Sequence, residues 1–347
     1  MFSQSLYETY QRIRTLRTDV IRTLPIVILM PHSACNCRCV MCDIWKDNRN
    51  LKQLTEEDIH DLLISLKSLG TRQVLMSGGE ALLHRNFFRF CELMTDNNIK
   101  VSLLSTGLSL KKNAAQLVTH VNDIIVSLDG NEELHDRIRN IPGAFRQLEE
   151  GVQEIKSMNS QFGISARTVI HRLNFRQWPD IVDAARTIGL DRISFLPADV
   201  SSHAFNREVL WSDARQHEIL PGERELDELR EITERVISMS RRFPNFIAES
   251  AEKLRNIYKY YAACYNLIPF PYKKCNAPWV STVVEADGSV RPCFFHPPMG
   301  NIRDQPLSSI LNNEVNIRFR KELDMDNNDT CKKCVCYLHL SPGTKLN

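Results

Sequence analysis

Net charge and long apolar runs are both missing from this sequence. Its 44 basic residues stand against 42 acidic ones, a formal net charge of +2. That leaves no electrostatic case for nucleic acid as a partner. The apolar run Leu24 to Met30 is too short for a signal core followed by a cleavage site, and nothing approaches the roughly 20 residues of a membrane-spanning helix. His32-Ser33-Ala34-Cys35 fails as a lipoprotein cleavage box, because His32 stands where an apolar residue is needed. No membrane partner is expected, and the chain reads as cytoplasmic. The balance that remains, 43% apolar and 25% charged, is that of a soluble globular protein. A length of 347 residues suits one large domain with a smaller one.

Cysteine is present in excess. The chain has 11, in an early group (Cys35, Cys37, Cys39, Cys42) and a late group (Cys264, Cys275, Cys293, Cys331, Cys334, Cys336). Cys91, among Phe87, Phe90 and Leu93, reads as a core thiol. In a reducing compartment, clustered cysteines mean metal or redox chemistry rather than disulfides.

Between the two groups, apolar runs alternate with amphipathic segments. LPIVILM (24–30), QVLM (73–76), KVSLL (100–104), DIIVSLD (123–129), ISARTVI (164–170) and RISFL (192–196) read as strands. Helical patterns follow them, the first capped by Thr55 with Ile59, Leu62, Leu63, Leu66 and Leu69 on one face. Six β-then-α units with short loops predict a parallel sheet in an α/β fold, a partial (β/α)6 barrel with its site at the strand C-termini. Residues 1–23 read as a helical N-terminal extension, 24–210 as the core and 211–268 as a helical bridge. Residues 269–347 read as a small cysteine-rich domain, turn-rich and short of apolar runs, which a metal would staple.

CNCRCVMC (35–42) places four cysteines in eight positions. Structural zinc takes two separated pairs of ligands, and this loop is too crowded for them. A redox pair needs only Cys39 and Cys42. The spacing Cys35-x3-Cys39-x2-Cys42 suits a loop that wraps a four-iron cubane with three thiolates and leaves one iron open. Cys37 is too close to Cys39 to reach a separate iron easily.

This pattern after a first strand resembles the radical S-adenosylmethionine (SAM) enzymes. Ser77-Gly78-Gly79-Glu80 after the second strand resembles their GGE motif, which contacts the methionyl amino group. Thr106, in Ser105-Thr106-Gly107, follows the third strand, and Ser127-Leu128-Asp129-Gly130 ends the fourth, where family members approach the cofactor. Arg167 on the fifth strand matches a carboxylate ligand of some relatives, or is a surface arginine. The family often has an aromatic residue before the third cysteine. Met41 stands there instead, and a thioether packs on an adenine face. Taken singly, Gly78-Gly79 reads as a turn and Ser127-Leu128-Asp129 as a strand end with a cap. Together and in order they imply SAM as cofactor on a [4Fe-4S] cluster, cleaved to a 5′-deoxyadenosyl radical that abstracts a substrate hydrogen. A reductant such as flavodoxin or ferredoxin is implied as a partner.

In the late group, Cys275, Cys293, Cys331 and Cys334 resemble the ligands of the twitch or SPASM-like extension of these enzymes, which implies a second, auxiliary [4Fe-4S] cluster. Zinc is the alternative. Cys264 and Cys336 are spares, either able to replace an assigned ligand. His171 after the fifth strand, and Asp199, Ser202 and His203 after the sixth, form a polar set facing the substrate, or a solvated loop. The leading expectation is an oxidoreductase-like reaction on a small-molecule substrate: a sugar, aminocyclitol or nucleoside. A peptide maturase is second, disfavoured because the roughly 23 residues before the first strand are too few for a leader-binding domain. An iron–sulfur or zinc protein without SAM chemistry is third.

Overall fold

The computed structural model describes residues 2–346. The expected strands are present as β1 (Ile26–Leu29), β2 (Gln73–Met76), β3 (Lys100–Ser105), β4 (Asp123–Ser127), β5 (Gly163–Ile170) and β6 (Arg192–Pro197). Each pairs in parallel with the next. Helix α1 (Phe2–Thr18) precedes them. Helices α2 (Glu56–Ser68), α3 (Phe87–Thr95), α4 (Leu110–His120), α5 (Glu132–Arg139), α6 (Ala144–Met158) and α7 (Trp178–Thr187) lie between them. Thr55 caps α2 in a reciprocal capping box with Asp58. Along β5 alternate residues are buried and half-buried. Ala166 and Ile170 join the core beneath the helices, whereas Arg167 and Val169 face the concave interior.

Beyond β6 come α8 (Asp213–Ile219), α9 (Leu226–Arg242) and α10 (Ala251–Cys264). The helical pattern from Ile247 begins four residues later than its apolar periodicity implies. Phe246 to Ala248 instead lie along the free edge of β6, where Ile193 donates to the Phe246 carbonyl (2.8 Å) and accepts from the Ala248 amide (2.8 Å). An open sheet edge needs such partners.

That detour leaves Glu249 half-buried beside Phe195. Burial pushes its carboxyl from an ordinary 4.5 up to about 7, against the pull of the Phe195 amide and Arg167. The folded chain therefore holds this proton more tightly than the unfolded one. Stability is full below pH 4.5 and falls as pH rises through 7, by about 3 kcal/mol for this group. Thermal midpoints of the wild type should drop between pH 5 and about pH 8. In Glu249→Gln that share of the drop should vanish.

The C-terminal segment does not stand apart as its composition suggests. Its first strand, β7 (Ser281–Val284), pairs in parallel with β1, Ile26 opposite Ser281 and Leu29 opposite Val284. A hairpin at Ala286 to Ser289 then leads antiparallel into β8 (Ser289–Arg291), and β9 (Gly300–Asn301) completes a sheet of nine described strands in the order β6-β5-β4-β3-β2-β1-β7-β8-β9. Helix α1 braces this side: Arg12 donates to the carbonyls of Ser341 (3.0 Å) and Thr344 (2.8 Å). No helix is long and apolar enough to cross a membrane among the described residues.

Candidate functional site

The chain leaves β1 at Met30 and forms the cysteine loop. Asn48 clasps Cys35 by both backbone groups, accepting from its amide (3.0 Å) and donating to its carbonyl (2.9 Å). Arg38 and Val40 donate to the Arg139 and Ile138 carbonyls at the end of α5 (3.0 and 3.1 Å). The Cys42 amide turns back onto the Cys39 carbonyl (3.2 Å). Cys35, Cys39 and Cys42 line one cavity of about 550 Å³. Cys37 does not; at 1% exposure it packs into the core. Burial pushes the Cys35 and Cys42 thiols up to about 12. Cys39 goes the other way, because the Cys37 thiol and the Arg139 guanidinium favour its thiolate.

Gly78 and Gly79 supply the floor. Gly78 has φ +115°, which a side chain resists, and a Cβ there would lie 2.9 Å from the His32 carbonyl oxygen. A Cβ on Gly79 would lie 2.2 Å from the Ala34 carbonyl oxygen and 3.0 Å from the Cys35 nitrogen. The Glu80 amide donates to that same carbonyl (2.9 Å), so β2 and the cysteine loop meet backbone to backbone. Glu80 itself is fully buried behind the cavity. Its carboxylate accepts from the Thr106 amide and hydroxyl (both 2.7 Å), the Ser105 hydroxyl (3.1 Å) and the Leu82 amide (3.2 Å). Burial pushes its carboxyl up against those bonds. Thr106 also reaches Asn36 in the cysteine loop (3.0 Å).

Met41, Ser127 and Arg167 line the cavity with Gly78, Gly79 and Thr106. The Arg167 side chain donates to the Ser194 hydroxyl (3.3 Å). Asp129 is wholly buried and does not reach the cavity. It pairs with Arg139, which lines the cavity and donates from Nη1 to the Cys39 sulfur (3.5 Å). Of the four residues expected on the substrate side, Asp199 and His203 line the cavity and His171 and Ser202 do not. His171 is fully buried, and burial lowers its imidazole to about 3. Asp199 is held by Arg207 and accepts from Ser202 (2.6 Å).

Neither Arg139 nor Arg207 belongs to a motif that spacing along the chain would reveal. Arg207 is fully buried, stacks on Trp211 (4.0 Å) and donates to the carbonyls of Asp199 (2.8 Å) and Met41 (3.4 Å). Trp211 donates to Asp43 (2.7 Å). These bonds fold the segment after β6 down onto the cysteine loop. Arg291, Phe294 and Phe295 of the C-terminal region form the opposite wall.

The late cysteines surround a separate cavity of about 200 Å³, lined by Cys275, Cys293, Cys331, Cys334 and Cys336. Cys264 is outside it, hydrogen-bonded to Tyr260. His296 Nε2 lies 3.4 Å from the Cys331 sulfur. Lys273 is close enough to Cys334, Cys331 and Cys275 for their charges to support its ammonium against burial. Cys336 lines both cavities.

All eleven thiols are free. Among the described residues, no three His, Cys, Asp or Glu side chains converge on a single-ion site. Thiolates of a polynuclear cluster each take a separate iron and need no such convergence. Three cysteines of one loop around the cavity, a floor that a Cβ would fill and Arg167 on its wall fit a three-thiolate cluster with SAM beside it. The five late thiols fit a four-thiolate cluster. If Cys275, Cys293, Cys331 and Cys334 are its ligands, Cys264→Ser and Cys336→Ser should keep about eight irons per reconstituted chain. Cys331→Ser should keep about four.

Residues 29–185 match the family model described as the radical SAM superfamily, and residues 275–335 match SPASM, described as an iron–sulfur cluster-binding domain. The Fe-coproporphyrin III synthase of Methanosarcina barkeri is 24% identical over 89% of this chain and 80% of its own length. The subtilosin biosynthesis protein AlbA of Bacillus subtilis is 25% identical over 81% of this chain, which spans 58% of that protein. Among solved structures, Streptococcus suis SuiB bound to the precursor peptide SuiA superposes with a TM-score of 0.67 at 16% identity, over 93% of this chain and 73% of that one. The last likeness is one of fold.

Proposed function

The chain belongs to the radical SAM superfamily and carries a SPASM domain toward its C-terminus, and on that premise we propose that it modifies a peptide. Its cofactors are SAM, a [4Fe-4S] cluster and auxiliary iron–sulfur. When bound, they supply one-electron cleavage of SAM and abstraction of a hydrogen atom from the substrate. The chain's residues do the rest. Cys35, Cys39 and Cys42 hold the cluster, Gly78 and Gly79 let the cofactor approach the backbone, and Arg167 is a cation for its carboxylate. Asp199 is fixed by Arg207 at the substrate end, where Phe294 and Phe295 help to exclude water.

The observation that carries the peptide reading is the likeness, over 81% of this chain, to a bacteriocin biosynthesis protein. The shared cavity, about 550 Å³, has the volume of a site for one cofactor-sized ligand. A small polar metabolite was the leading expectation from sequence. The names of AlbA, a bacteriocin biosynthesis protein, and of SuiB with its precursor peptide favour the peptide instead. A porphyrin substrate is the second reading, favoured by the near full-length match to the coproporphyrin enzyme.

The test is anaerobic incubation of reconstituted protein with SAM, a reductant and peptides encoded beside its gene. The expected result is 5′-deoxyadenosine formed in step with a mass change in one peptide. Cofactor cleavage coupled to a porphyrin, with every peptide unchanged, would overturn the reading in favour of the second.

A further inference from the structure

We propose that Arg139 is a positioning residue that sets how readily the SAM-binding cluster accepts an electron, and that Asp129 opposes it. The inference rests on Cys39 being a cluster ligand, as the family membership implies. Arg139 is 7% exposed and Asp129 0%, so this ion pair lies inside the wall of the site. One guanidinium nitrogen donates to the Cys39 sulfur (3.5 Å), the other pairs with the carboxylate, and Nε has no partner.

Neither residue is free to move. Helix α5 stops at Asn140, in the left-handed conformation at φ 53°, and the carbonyls of Ile138 and Arg139 there accept from the cysteine loop. Asp129 accepts from the Val169 amide (3.2 Å), its own amide donates to His135 Nδ1 (3.2 Å), and Asn174 donates to its carbonyl (3.1 Å). The cation is therefore held against one ligand sulfur by the turn after β4, which β5 anchors, and by the end of α5.

Reduction adds a negative charge to an iron–sulfur cluster. A hydrogen bond and a positive charge at a ligand sulfur stabilise that charge, and a buried carboxylate behind them weakens the effect. Buried as Arg139 and Asp129 are, water screens neither contribution strongly. The pair thus has a sign that can be read from outside, because its two members pull the cluster's potential in opposite directions.

The experiment is an EPR-monitored redox titration of anaerobically reconstituted protein, following the cluster signal that changes when SAM is added. Arg139→Gln should shift the midpoint potential to more negative values and Asp129→Asn to more positive ones. The double variant should return toward the wild type, and Arg139→Lys should lie closer to it than Arg139→Gln. A residue that only props the loop would give losses of iron without shifts of opposite sign. Wild-type iron content with potentials that stay put, or that move the same way in both single variants, overturns the proposal. If Arg139→Gln takes up no iron, Asp129→Asn decides alone, and an unchanged or lowered potential overturns it. Absence of any SAM-responsive signal in the wild type would instead count against the family reading on which the proposal rests.

Discussion

Gly79→Ala is expected to strip the first cluster and spare the second. The added methyl would stand 2.2 Å from the Ala34 carbonyl oxygen and 2.6 Å from its carbon. Both obstacles are backbone, so no side chain can swing clear. The only relief is a shift of the loop by a sizeable part of an ångström, and the residue displaced next is Cys35. Two further ties resist that shift: the Glu80 amide on the Ala34 carbonyl and the Asn48 clasp on Cys35. The strain is therefore resolved at the thiol. Iron should fall from about eight to about four per chain, with the auxiliary cluster's absorbance kept. SAM cleavage should fall by about 100-fold or more, the scale of a misplacement near 1 Å. Full iron content with wild-type cleavage in Gly79→Ala would mean that the loop does not grip as described.

Arg207→Leu is expected to be the most destabilising single change near the site. The guanidinium and Asp199 are both shielded from water, with side chains 0% and 2% exposed. Removing one partner strands a buried carboxylate, at a cost of about 3–5 kcal/mol. It also frees the Met41 carbonyl and loosens the stack on Trp211, which holds the segment after β6 on the cysteine loop. These two consequences separate in the double variant. Asp199→Leu with Arg207→Leu should regain most of the stability, since an apolar pair of similar volume replaces a buried ion pair at little cost. Substrate turnover should stay low, because Met41 and the segment are still released. Denaturant midpoints measure the first effect and steady-state rates the second.

The difference between those two predictions and the sequence reading lies in how far apart the partners are. Strands β1 to β6 announce themselves locally, as apolar runs between turns, and Thr55 announces its helix by its own side chain. The cysteine spacing and Gly78-Gly79 are equally local. Helix α5 is not: Glu132 to Arg139 is mostly charged, and only tertiary packing buries Leu134 and Ile138. Its last residue, which meets the Cys39 sulfur, was invisible for that reason. The run LPADVSSHAFN reads as a polar loop open to substrate. Its Asp199 is instead held by Arg207, eight positions on, and nothing in either residue type announces the pairing. Among the late cysteines, spacing could not separate Cys264 from Cys336. The fold does, by placing one on α10 beside Tyr260 and the other at the wall between two cavities.

Strand β7 alters what can be exchanged between relatives. The cluster-binding C-terminal region would seem a portable attachment, something to trade when a new substrate is wanted. Yet its first strand completes the ladder of β1, and the Met30 amide at the base of the cysteine loop donates to the Val284 carbonyl (2.8 Å). A chimaera cut before Ser281 would expose that edge and leave the loop's first hydrogen bond without its acceptor. An exchange of this region is expected to keep the first cluster only where the incoming strand pairs with β1 as β7 does.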